Sequence, residues 1–213
     1  SGLRRLLRLD FSNNVLVAKS LGKLMLQETD NKPPVSLVAF NGESPVGEDL
    51  AVVIKTMIRN CKFQTGKYGV YTRQCLFVEV IGCLFLKLGS TGSSNVHNFA
   101  NTQAQQAAHW AGSSTSNGGA MRLRDAALVV VKDNYLWRVL RGIRVQDIRQ
   151  SVLNTPSLIT NNRINDSLES AIYCASGNYA FHSVYGCSDV LITGNRINRP
   201  YNNGILVIGG KFI

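Results

Sequence analysis

The chain has 213 residues, 45% of them apolar and only 17% charged, with 19 glycines and 5 prolines. That suffices for one good core but not for several, and many tight turns with little charge exclude a disordered tail. Lysine and arginine outnumber aspartate and glutamate 23 to 13, a net charge of +10, which favours an anionic partner such as nucleic acid, an acidic glycan or a membrane surface.

The chain opens on a basic stretch, Leu3-Arg4-Arg5-Leu6-Leu7-Arg8, and then shows Phe11-Ser12-Asn13-Asn14-Val15-Leu16. This is the first copy of a six-residue pattern: apolar, any, Asn/Gly/Asp, Asn/Cys, any, apolar. A second strand is predicted to start 8 residues after Leu16, at Leu24. The next copy, Ile58-Arg59-Asn60-Cys61-Lys62-Phe63, is followed by a strand start at Val70, and the third is Val80-Ile81-Gly82-Cys83-Leu84-Phe85. Here the matching second strand waits until Met121, 36 residues after Phe85. Leu86 to Gly119 is therefore read as an inserted loop, rich in Ser, Gly, Asn and Gln, that contains His97, His109 and Trp110. Three further copies follow, Val131-Lys132-Asp133-Asn134-Tyr135-Leu136, then Ile159 to Ile164, then Ile192 to Ile197, with second strands at Ile143, Ile172 and Ile205. The last two copies lie in segments 33 residues apart, Ser157 to Asn165 and Val190 to Asn198, in which seven of nine residues are identical.

A recurrent unit of this kind sets the architecture. Alternation before each turn (Thr56, Ile58; Val78, Val80; Val129, Val131; Val190, Ile192) has the period of strands with one face inward. The Asn, Gly or Asp that follows tolerates a left-handed backbone at a sharp corner. Units of 22 residues, the Cys61 to Cys83 spacing, suit a coil of three short strands, and no helix-length amphipathic run separates them. The longest strongly apolar stretch, Cys75 to Leu88, is 14 residues and holds Glu79, too short to span a bilayer, and no signal-peptide pattern opens the chain. Cys61, Cys75, Cys83, Cys174 and Cys187 are odd in number without CxxC spacing, which argues against a disulfide framework or zinc site. They read as reduced and mostly buried; no metal and no cofactor is expected.

These residues resemble the right-handed, single-stranded parallel β-helix of pectate-lyase-like proteins and bacteriophage tailspikes, over residues 9 to 209. The resemblance implies an all-β solenoid of about 22 or more residues per coil. It stacks Cys61, Cys83, Asn134, Asn162 and Asn195 in a column, with each Asn amide bonding the next. The whole chain, 1–213, reads as one β-helix domain with the insert at 86–119. Both ends look cut, so a module or piece of a longer subunit is expected.

The insert leaves the coil between two strands and shares an edge with the equivalent turns of neighbouring coils. That edge holds Gln64, Lys67 and Tyr68, then Trp137, Arg138 and Arg141, then Asp166 and Glu169, then Arg199, Tyr201 and Asn202. Aromatic faces, guanidiniums, amides and two carboxylates suit a sugar-binding groove. Tyr68, His109, Trp110, Trp137, Arg138, Arg141, Arg199 and Tyr201 are the expected substrate contacts. Glycoside hydrolysis needs two carboxyls, about 5 Å apart for retention or about 6.5 to 9.5 Å for inversion, and Asp166 and Glu169 are the best pair. With a uronate polymer, β-elimination is open instead, with His109 or Tyr68 as base and Arg138 or Arg141 on the carboxylate.

A second long connection, Gly177 to Cys187, carries Tyr179, Phe181, His182 and Tyr185, for sugar or a neighbouring subunit. The outward apolar positions Met57, Val130, Leu158 and Leu191 predict a stripe covered by self-association, a homotrimer. By this reading the protein is a phage tail component in the virion, acting at the host surface on a capsular, exopolysaccharide or lipopolysaccharide glycan, acidic or neutral, without membrane insertion. The alternative is a non-catalytic receptor-binding or structural segment of a viral fibre. Nucleic acid is the weaker partner, because none of the recurrent binding motifs is present. There is also no calcium-binding Asp cluster of the pectate-lyase type.

Overall fold

The structure is a computed structural model that describes residues 6–13, 15–17, 36–41, 52–66, 68–73, 75, 77–89, 118–124, 126–148, 155–175, 187 and 189–208. All its regular elements are strands, and they pair in parallel into three six-stranded sheets. Sheet A contains β1 (Leu6–Ser12), β4 (Val52–Arg59), β7 (Phe77–Ile81), β10 (Leu128–Lys132), β13 (Ser157–Thr160) and β16 (Val190–Thr193), in that spatial order. Sheet B contains β2 (Val15–Val17), β5 (Lys62–Gly66), β8 (Leu84–Leu88), β11 (Tyr135–Val139), β14 (Arg163–Ser167) and β17 (Arg196–Asn198). Sheet C contains β3 (Ser36–Asn41), β6 (Tyr68–Arg73), β9 (Gly119–Arg124), β12 (Ile143–Gln146), β15 (Ile172–Ala175) and β18 (Ile205–Ile208). The chain thus visits A, B and C in turn six times, and each visit stacks on the last: a right-handed parallel β-helix.

Register partners in sheet A are Phe11, Ile58, Val80, Val131, Ile159 and Ile192, so the tightest coil is the 22 residues from Ile58 to Val80. The inward rows build the core. Phe63, Phe85, Leu136 and Ile164 form one row, Val70, Met121, Ile143 and Ile172 another, and all eight are fully enclosed. The Phe63 and Phe85 rings stack 4.8 Å apart at 10°.

At the corner from sheet A to sheet B, Asn13, Asn60, Gly82, Asp133, Asn161 and Gly194 all have φ between 52° and 64°. The residue after each forms the expected column wherever it is described. Asn134 Nδ2 donates to Asn162 Oδ1 and Asn162 Nδ2 to Asn195 Oδ1, both at 2.9 Å. The same amides donate to the carbonyls of Val80 and Val131. Each Oδ1 also accepts a backbone N–H from the preceding rung, Cys83 onto Asn134, Asn134 onto Asn162 and Asn162 onto Asn195. In the earlier coils sulfur takes the amide's place, Cys61 N donating to Cys83 Sγ at 3.4 Å. Burial pushes the Cys83 thiol up to about 12. All five cysteines are buried thiols outside any disulfide.

In the first coil the partner of Val70 is Val38 of β3, and the strand start expected at Leu24 lies outside the described residues. Two expectations need correction. Leu86 to Leu88 belong to β8 and Gly119 to β9, because their backbones pair with neighbouring coils; the insert is thereby shortened at both ends. Met57 is only 2% exposed, and Glu79 stands between it and Val130 in the outward row. The apolar stripe is therefore Val130, Leu158 and the 49%-exposed Leu191.

Candidate functional site

The proposed edge resolves into a sheet B face and a corner. In sheet B the outward row Gln64, Leu86, Trp137, Asn165, Asn198 crosses five coils. The residue after each of the last four is Lys87, Arg138, Asp166 or Arg199, and all four have φ between 51° and 58°. Charged residues in the left-handed region are uncommon, since Cβ meets the following carbonyl. Their repetition bends each strand at one place and fans the four side chains outward. Lys87 Nζ lies 5.9 Å and Arg138 Cζ 4.6 Å from the Trp137 ring centroid, both within cation–π range. Arg199 Nε is 2.7 Å from Asp166 Oδ1, with the arginine side chain 70% exposed.

Past this bend the chain turns toward sheet C. At the turn Arg141 holds Glu169 of the next coil through two hydrogen bonds, Nε to Oε2 and Nη2 to Oε1, the latter at 2.8 Å. Burial disfavours the Arg141 charge, yet the hydrogen bonds and charge of Glu169 outweigh it and raise the guanidinium above its ordinary value. Tyr201 is half-buried and donates its backbone N–H to the Ser167 carbonyl at 2.8 Å. Tyr68 begins β6 fully enclosed, its ring 5.7 Å from that of the buried Tyr71, so the ring is not presented to a sugar. Lys67, His109 and Trp110 lie outside the described residues, as do Tyr179, Phe181, His182 and Tyr185.

Trp137, Arg138, Asp166 and Arg199 thus share one face, Arg141 and Glu169 share the corner, and Tyr68 belongs to the core. Both carboxylates named for catalysis are paired with arginines of adjoining coils. Among the described residues no three of His, Cys, Asp or Glu are grouped closely enough to hold a metal ion.

Beyond the corner, the outward face of sheet C holds a group that sequence reasoning missed. Tyr71, Arg122, Arg144 and Tyr173 occupy one row on four successive strands. Arg122 lies over the Tyr71 ring at 5.8 Å and Arg144 over Tyr173 at 4.7 Å. Arg122 Nε donates to Gln146 Oε1 at 3.0 Å, and Arg124, one row along, is 3.9 Å from Asp147. Arg144 Nε is enclosed without a partner. Burial first, then the nearby charges of Arg122 and Arg141, hold the Arg144 guanidinium below its ordinary value. The signal was legible, since Arg122 follows Met121 and Arg144 follows Ile143 just as Tyr71 follows Val70 and Tyr173 follows Ile172.

A family model described as a right handed beta helix region matches residues 52–213, more than half of the chain. No curated protein and no solved structure matches.

Proposed function

From the premise that this chain belongs to the right-handed β-helix family, we propose that it is a tailspike-like protein of a phage virion that grips an acidic surface polysaccharide of a bacterial host. The observation that carries this reading is the Arg122–Arg144 pair framed by Tyr71 and Tyr173. Guanidiniums suit planar carboxylates, and the ring of the partly exposed Tyr173 suits the apolar face of a sugar.

The adhesive form is favoured over the depolymerase by the two ion pairs, Arg141 with Glu169 and Arg199 with Asp166. Each carboxylate is already engaged by an arginine of an adjoining coil, so its oxygens serve as ties between coils. A glycan array identifies the polymer class. Incubation with the polymer followed by end-group analysis then separates the forms: new reducing ends mean hydrolysis, unsaturated ends mean elimination, and intact polymer means adhesion. If cleavage appears, Asp166→Asn with Glu169→Gln is expected to abolish it; unchanged cleavage in the double variant removes these carboxylates from the chemistry. An array on which neutral glycans bind and acidic ones do not overturns the reading.

A further inference from the structure

Resting on that acidic-glycan reading, the row on sheet C carries information about how charge is spaced along the ligand. Tyr71, Arg122, Arg144 and Tyr173 sit on strands paired one to the next, and neighbouring strands are about 4.8 Å apart. The row therefore runs along the coil axis in the order ring, cation, cation, ring. Each guanidinium rests on the ring outside the pair, Arg122 on Tyr71 and Arg144 on Tyr173. Neither is ion-paired to a carboxylate among the described residues. Like charges on directly opposed strand positions destabilise a sheet, so the pair is a standing demand for counter-charge. Because the two guanidiniums are braced by separate rings, each is set to take its own anion.

We propose that the ligand carries anionic groups on consecutive units along the coil axis, two of them received by Arg122 and Arg144, with an uncharged ring face toward the partly exposed Tyr173, while the buried Tyr71 closes the other end of the row under Arg122. A polymer charged on alternate units fits poorly. With one anion on Arg122, its next anion falls two strands on, at Tyr173, and with one on Arg144 it falls back at Tyr71. The face of an aromatic ring is the negative end of its quadrupole and repels an anion.

The test is isothermal titration calorimetry of the whole chain with two probes of equal charge: a mannuronate tetramer, carboxylated on every unit, and a hyaluronan octasaccharide, carboxylated on alternate units. The tetramer is expected to bind at least about tenfold more tightly, on the scale of one charge-assisted contact. Arg122→Gln and Arg144→Gln should each erase most of that preference, whereas Lys132→Gln on sheet A should leave it, with unchanged circular dichroism showing that all three variants fold. Equal affinities, or tighter binding of the octasaccharide, overturn the spacing and leave the acidic-glycan reading standing. Failure of both probes to bind overturns both together.

Discussion

Asn162 spends its whole amide. Its Oδ1 accepts the N–H and the amide of Asn134, while its Nδ2 donates to Asn195 and to the Val131 carbonyl. Removing the side chain strands several enclosed groups at once, and each such group costs about 1 to 3 kcal/mol. Asn162→Ala is therefore expected to lose at least about 2 kcal/mol in urea denaturation. Asn162→Cys should lose less, because Cys83 already receives an N–H from Cys61 and donates its thiol to backbone carbonyls in the same column. Equal losses in the two variants would show that sulfur does not substitute for the amide. The neighbouring position explains one of the two differences between the near-identical segments: Asn161 and Gly194 both have positive φ, at 55° and 64°, and these are the residue types that accept it.

Between elements, ion pairs on the outer faces tie one coil to the next. In sheet A, Glu79 of β7 is held by Lys55 and Arg59 of β4, at 2.9 and 2.8 Å. Burial works against the Glu79 charge, but hydrogen bonds and charge from both cations outweigh it and keep the carboxyl below the usual range. A carboxylate depressed in this way stabilises the fold above its unfolded value, near 4.3, and that contribution disappears as pH falls through the depressed one. Glu79→Gln is thus expected to be less stable by about 1 kcal/mol at pH 7. The gap from the parent should close progressively below about pH 4, as followed by thermal melting across pH. A gap that does not change with pH would assign the loss to packing. Arg141–Glu169 and Arg199–Asp166 are the same device at the corner and on sheet B. This is the physical reason that two acids three residues apart, which look like a catalytic pair in the sequence, face arginines from different coils.

As a whole the molecule is a stack in which each coil is covered only by its neighbours. Its last described coil shows the consequence. Ile205 and Val207 continue the inward rows of Ile172 and Cys174, yet they are 50% and 42% exposed. On sheet A the shortened stripe Val130, Leu158 and Leu191 faces outward along three coils. A homotrimer is proposed to cover it, and Leu158→Lys with Leu191→Lys is then expected to convert a trimer to a monomer in light scattering. A parent chain that is already a monodisperse monomer refutes this.

The sequence by itself determined the solenoid, because a parallel β-helix repeats the same local demands in every coil. A left-handed corner needs Asn, Gly or Asp, an inward rung needs an Asn or Cys, and a strand needs alternation; all of these are contiguous in the chain. It also contained the ladder's partners, since equal pattern positions stack. Only the tertiary structure decided which side chains share a face. Coils are of unequal length, 47 residues from Phe11 to Ile58 against 22 from Ile58 to Val80, so equal spacing did not find Val38 as the partner of Val70. Glu79 entered the stripe because register, and not pattern, sets the row. The Tyr71, Arg122, Arg144 and Tyr173 row draws on residues up to 51 positions apart between neighbouring strands. Their proximity arises from hydrogen bonds between coils, which no local spacing expresses.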